Sequence, residues 1–544
     1  MNLSQFSSVY DVLCASAAKW PSHAFLNVLP ETAHHYAIAD GEITYAQMLA
    51  RTQARIEVFK AAGIGDGHRI GVLVENRPVF YDIWFALNAL GASIVPINPD
   101  LRQGELEYLI EHSEMSAAIV LPSRKQDIES AAQAAGCNLI VVLPEERMPA
   151  LPHPRQAVAV SNRHHECALL YTSGTTGKPK GCILSNLYYI NNGHWYATVG
   201  GLVQLRPGQE RMLTPLPLFH MNAMATSTMA MMMSGGCLTV LDRFHPKTWW
   251  DSVRAARATI VHYLGVMPPM LMSAQPSAQD RSHHVVFGFG AGVHKTLHGP
   301  FEERFGFPLI EAWAMTETGG AVIIAANQEP RHLGVSCIGK ADDDTELRII
   351  REDGTDCDAD EPGELLVRRK GADPREGFFK AYLKDPQATE EAWAGGYFHT
   401  GDVVRRDQDG YIYFVDRRKN VIRRSGENIA AVEVESALQQ HPSVASAGVS
   451  AVPDAVRGDE VFACITLRSP VQDKDQRALL AQEIMTHTLA RLAYYKAPGY
   501  IAFVSALPVT ATQKVQRNTL KDLAVSLLDD PQTLDLRSMK KRTQ

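Results

Sequence analysis

The sequence predicts an α/β fold in two parts: a large N-terminal unit with parallel-rich sheets, then a small α+β unit. Three observations carry this. At 544 residues the chain exceeds what one hydrophobic core supports, so at least two domains are expected. Up to about residue 160, short apolar runs alternate with helical patterns, the mark of a parallel sheet with crossover helices. The last ~125 residues alternate helix and strand at the scale of a separate small domain.

Taken in order, 69–75 (RIGVLVE) reads as a strand, 78–90 as a helix and 92–97 (ASIVPI) as the next strand. Segments 117–121 and 139–143 repeat the strand pattern. The apolar run 168–170 predicts a buried strand and 184–195 a helix starting near the loop between them. Segment 221–241 is Met-rich and broken by Gly235 and Gly236, which favours a buried core helix over a membrane span. Segment 285–289 reads as a strand, and 307–313 leads into AMTETGG. From 346 to 368, short β-rich runs separated by Asp/Gly turns predict antiparallel strands, and 411–415 (YIYFV) another. In the last part, 432–440 reads as a helix exposing Glu433 and Glu435, 446–452 and 461–467 as strands, and 476–492 as a helix. The basic tail 536–544 reads as frayed.

Composition limits the function. The chain is 45% hydrophobic and 21% charged, as in soluble globular proteins, and its net charge of -7 argues against a nucleic-acid binder. Eight cysteines lack metal spacing and read as reduced. The first twenty residues lack a basic region followed by a long apolar core. No signal peptide is therefore expected, and the cytoplasm is the default location.

The stretch 171–181 (YTSGTTGKPKG) organises the rest. Glycines at 174, 177 and 181 let backbone approach a ligand. Thr172, Ser173, Thr175 and Thr176 add donors, and Lys178 and Lys180 add charge, so the stretch suits a polyphosphate. Only two residues separate Gly174 from Gly177-Lys178, which excludes a Walker P-loop. The stretch resembles the phosphate-loop signature of the adenylate-forming superfamily: acyl-CoA synthetases, luciferases and peptide-synthetase adenylation domains.

Further segments resemble that family's motifs in the same order, from about residue 40 to 520. Gly290, Ala291 and Gly292 match the turn whose backbone lines adenine. Trp313 through Gly319 (WAMTETG) match the motif whose aromatic lies on adenine, whose Thr316 bonds phosphate and whose Glu317 holds Mg²⁺. Asp402 in Thr400-Gly401-Asp402 matches the aspartate that accepts from both ribose hydroxyls. Arg417 matches an arginine reaching ribose or phosphate, and Lys419 the hinge pivot. Ser425, Gly426 and Glu427 match the face that narrows the pantetheine tunnel. Lys514 matches the catalytic lysine, although Gln513 stands where the family has glycine. His220 matches the residue at the mouth of the acyl pocket, with a packed structural histidine as the competing reading.

The resemblance implies domains 1–416 and 417–544, a small β-barrel-like part in the first and a mobile second one. It implies ATP, Mg²⁺ and coenzyme A acting on a small carboxylic acid, with no integral membrane segment and with a homodimer as the common assembly. The tract 415–429 looks most like the crotonobetaine/carnitine–CoA ligase branch. The expected activity is AMP-forming acyl-CoA synthesis. Loading of a carrier protein in trans, or a catalytically reduced nucleotide-binding protein, are the alternatives.

Overall fold

Two parallel-rich sheets form the large unit. In the eight-stranded sheet the spatial order is Ile324–Ala325, Leu309–Trp313, Phe287–Ala291, Ile260–Leu264, Arg211–Thr214, Cys237–Val240, Ala24–Val28 and Gly41–Thr44. Its inner pairs are parallel and its two edges antiparallel. The seven-stranded sheet runs Ala381–Tyr382, Lys180–Ser185, Glu166–Thr172, Ser93–Pro96, Arg69–Leu73, Ala117–Val120 and Ile140–Val142. It is parallel from Glu166–Thr172 onward. This computed structural model describes residues 3–152, 162–172, 178–417, 421–508 and 515–541.

The helix Val79–Ala89 is apolar nearly all round and belongs to the core that joins the two sheets. Its Tyr81 and Phe85 meet Phe25 of the first sheet, and its Trp84 meets Tyr189. The predicted antiparallel region is a five-stranded sheet, ordered Cys337–Gly339, Ile412–Arg417, Phe398–Arg406, Gly363–Arg369 and Thr345–Ile350. C-terminal to it, Glu427–Ala430, Val421–Arg424, Gly458–Leu467, Tyr500–Phe503 and Leu534–Asp535 form a further sheet, with Val444–Asp454 beside Gly458–Leu467. Helices Ala431–Gln439 and Lys474–Leu489 cover it around a core of their own that includes Ile422, Leu438 and Ile484.

Four local expectations change. The helix after the phosphate loop starts at Asn186, not beside the loop, because the strand Lys180–Ser185 intervenes. Asn186 N donates to His165 O, so that helix begins at the opposite end of the strand pair from Thr172 and Lys180. The Met-rich stretch is a π-turn, Asn222–Ser227, then a helix, Thr228–Ser234, ended by Gly235 at φ 71°, then a strand. Glu433 and Glu435 are not on an exposed face. Glu435 pairs with Arg517 and Glu433 with Lys496, which supplies the partners that buried carboxylates need. The tail is packed as far as Lys540, whose Nζ lies 2.5 Å from Glu460 Oε1.

Candidate active site

A cavity of about 590 Å³ opens at the C-terminal ends of the parallel strands. Such crevices are where open α/β sheets bind ligands. The described ends of the stretch 171–181 pair as antiparallel strands, Tyr171 with Gly181 and Thr172 with Lys180. Thr172, Lys178 and Lys180 line the cavity. Ser173, Gly174, Thr175, Thr176 and Gly177 lie outside the described residues. Tyr108 braces the stretch: its OH donates to Pro179 O at 2.8 Å, and Lys178 Nζ lies 5.1 Å from its ring centre.

Thr316 and Glu317 line the same cavity. Glu317 is 7% exposed and accepts from Tyr382 OH at 2.8 Å. The same Tyr382 ring carries Lys180 Nζ, 4.7 Å from its centre. Burial, then Glu317, pushes the Tyr382 phenol far above its ordinary range, so it stays a donor. One carboxylate near Lys180 suits Mg²⁺, which takes few protein oxygens and completes its shell with water and phosphate. No group of three or more His, Cys, Asp or Glu able to hold a metal occurs among the described residues.

Gly290 and Ala291 line the cavity where a side chain at 290 would strike Tyr263 O. Gly292 follows at φ 83°. Sequence reasoning missed what holds this turn. Glu311, fully buried, accepts from Gly292 N and Val293 N at 2.9 Å each, and from Tyr263 OH at 3.0 Å. Burial raises its pKa against those bonds. The available signal was one carboxylate inside an apolar strand, which must find partners.

Trp313 lies behind the cavity wall. Successive strand residues face opposite ways; Ala312 and Ala314 line the cavity and Trp313 between them does not. It is 5% exposed, and its Nε1 donates to Asp402 Oδ2 at 2.8 Å. It therefore orients Asp402, which lines the cavity with Thr400 and Gly401. Arg417 pairs with Asp402 across the strands; its side chain, Lys419 and Lys514 lie outside the described residues.

The C-terminal unit closes the cavity. Gly426 (φ 90°), Glu427 and Asn428 line it, and a Cβ at Gly426 would collide with Leu264. Ser425 does not line it; its amide donates to Arg457 O. Glu427 Oε2 lies 3.4 Å from His220 Nε2, near enough to pair with an imidazolium, though without hydrogen-bond geometry. Among the described residues, 423–440 and 491–496 supply the C-terminal lining, and 497–541 supply none.

The AMP-binding enzyme family model matches residues 16–382, and the AMP-binding enzyme C-terminal domain matches 433–514. The chain belongs to the AMP-binding enzyme family. Within it, the chain is 30% identical over 529 residues to a sulfoacetate–CoA ligase of Cupriavidus necator, covering 95% of this chain and 99% of that one. It is 29% identical to a crotonobetaine/carnitine–CoA ligase of Salmonella heidelberg, covering 88% and 93%. Among solved structures it resembles the o-succinylbenzoate CoA synthetase of Bacillus subtilis, at 26% identity over 94% and 98% of the two chains. The TM-score is 0.80 to a double mutant bound with the product analogue OSB-NCoA and 0.65 to the complex with the acyl-adenylate. No helix among the described residues is long and apolar enough to cross a membrane.

Proposed function

We propose that this family member is an ATP-dependent carboxylate–CoA ligase that forms an acyl-adenylate and then an acyl-CoA thioester. The observation that carries the reading is that one cavity is lined both by Glu317, Lys180 and Asp402 and by Gly426, Glu427 and Asn428.

In the first step a carboxylate oxygen attacks the α-phosphorus of ATP and pyrophosphate leaves. Lys178, Lys180 and residues 173–177 hold the phosphates, Asp402 the ribose and the Gly290–Gly292 backbone the adenine. Catalysis here is positioning and charge neutralisation. Glu317 would hold Mg²⁺, which neutralises phosphate charge when bound. Lys514 would stabilise the transition state as a preorganised cation. In the second step the CoA thiol attacks the acyl carbon and AMP leaves, the thiol arriving past Gly426.

Residues 1–416 and 417–544 serve as two domains that turn about Lys419 between the steps. The described arrangement suits the second step: Gly426 lies against Leu264, and the likeness is greater to the product-analogue complex than to the acyl-adenylate complex. A homodimer in the cytoplasm belongs to the same proposal and is tested by light scattering and cell fractionation.

The test is AMP release by the purified protein with ATP, Mg²⁺ and a broad panel of carboxylic acids, with and without CoA. Release requiring one acid and CoA supports the ligase. Adenylation unaffected by CoA favours carrier loading, and ATP binding without any AMP overturns catalysis.

A further inference from the structure

The acyl end of the cavity is walled by the π-turn Asn222–Ser227 and by the strands Ile260–Leu264, Phe287–Ala291 and Leu309–Trp313. These elements and their neighbours bring Met221, Asn222, Thr226, Phe289, Ala312 and Ile323 to the lining, none of them charged, with His220 beside Met221. Lys178, Lys180, Arg423, Arg491 and Lys496 belong to the phosphate stretch or to the C-terminal unit. A π-turn interrupts regular helix pairing and commonly marks a functional site.

Behind this wall runs a buried polar chain that the ligase reading does not use. Tyr196 OH lies 3.1 Å from His262 Nε2, and His262 Nδ1 lies 2.8 Å from Asn222 Oδ1. His262 is fully buried, and burial lowers its pKa to about 3, so the ring is neutral. Tyr196 is also fully buried, and its hydroxyl proton has no other acceptor among the described residues. It therefore donates to Nε2, because an unmet buried donor is costly. The ring proton then sits on Nδ1, where two oxygens face it: Asn222 Oδ1 at 2.8 Å and Ser227 Oγ at 2.9 Å, the serine giving its own proton to Asn222 O at 3.1 Å. That fixes which way the Asn222 amide faces. Its Nδ2, with no hydrogen bond among the described residues, is left for the cavity. Thr226 does not duplicate this: its Oγ1 donates to Asn192 Oδ1 at 3.1 Å, which spends its proton.

We infer that Asn222 is a specificity-determining residue, and that the acyl pocket selects an uncharged acyl group carrying an oxygen acceptor. Tyr196 and His262 act as positioning residues behind it. An anionic end would meet no lysine or arginine on these elements. A trimethylammonium would meet the Asn222 donor and no carboxylate, and the Phe289 ring is already packed against Tyr196 and His262. This rests on the ligase reading and names its substrate class.

The test uses matched acids: levulinate against pentanoate, acetylbenzoate against ethylbenzoate, and partners ending in carboxylate, sulfonate or trimethylammonium. kcat/KM for AMP release with CoA is measured for wild type, Asn222→Leu and Tyr196→Phe. Wild type should favour each ketone over its methylene partner by about tenfold or more, and disfavour every charged partner. Asn222→Leu should erase the ketone preference. Tyr196→Phe keeps the ring packing but frees the imidazole tautomer, and should shrink the preference through KM rather than kcat. A wild type that prefers the methylene or a charged partner, or an Asn222→Leu that keeps the ratio, overturns the inference. Absence of AMP release across the broad acid panel would instead overturn the ligase reading beneath it.

Discussion

Lys496 Nζ lies 2.6 Å from Glu105 Oε1, joining the C-terminal unit to the helix Gln103–Ser113 of the large one. A second carboxylate, Glu433, lies 2.7 Å from the same ammonium. Burial alone would lower the lysine's pKa, but the two carboxylates hold it above its ordinary value. Burial and the competing Glu105 raise that of Glu433. Ala493 N also donates to Glu105, and Asn98 Nδ2 to Tyr495 OH. The helix that carries Glu105 also carries Tyr108, which braces the phosphate stretch. The contact with Lys496 and the contact with Pro179 are therefore made from one helix.

Lys496→Met should slow thioester formation from supplied acyl-adenylate by tenfold or more while leaving ATP–pyrophosphate exchange within about twofold. Removing the lysine leaves two carboxylates buried in the docked state, and breaking a buried pair typically costs about 3–5 kcal/mol. Equal loss in both half-reactions would argue against a latch specific to this arrangement.

Lys514→Ala should behave in the opposite sense. Adenylate formation should fall about 10²–10³-fold, the usual effect of losing one preorganised charge, with the thioester step largely spared. Pyrophosphate exchange and single-turnover CoA transfer read the two steps separately. Gln513→Gly, restoring the family's residue beside it, should speed only the first.

Gly426→Ala should impair CoA transfer by tenfold or more. The new methyl meets Leu264, and φ of 90° is unfavourable for any residue with a side chain. Adding Leu264→Ala should recover part of the loss by relieving the collision. No recovery would leave backbone strain as the whole cause.

Trp313→Phe should raise KM for ATP about fivefold to thirtyfold, because Asp402 loses a charge-assisted bond worth roughly 1–2 kcal/mol. The preference among acids should not move. A change in acid preference with unchanged ATP KM would place this residue on the acyl side.

His262 should make the protein acid-sensitive. Its folded pKa of about 3 lies below the ordinary value of 6.5. The unfolded chain therefore binds a proton that the folded one refuses, and stability falls as pH drops from 6.5 toward 3, with no contribution above that window. Between about pH 7.5 and pH 5 the loss from this one group is about 2 kcal/mol. His262→Gln should show a smaller drop in Tm over that interval than wild type.

The sequence determined the α/β class, the order of elements and the motif set. Those signals are local: apolar runs such as 69–75 and 117–121 become strands wherever they sit, and 171–181 needs its glycines and hydroxyls in that order. Glu433 and Glu435 show where local reading stops. Helical spacing makes them look solvent-facing, and only the arrival of Lys496 and Arg517 from distant segments buries them. Trp313 was legible as part of a motif but not in its direction, since strand pleating turns it from the cavity onto Asp402. The Tyr196–His262–Asn222 chain has no sequence signature at all. Its members lie on a helix, a strand and a π-turn, and hydrogen-bond geometry exists only once these pack together. Composition and pattern thus decided which elements form and which reaction the chain is equipped for. Tertiary packing decided which polar atoms lose water, find partners and are left aimed at a substrate.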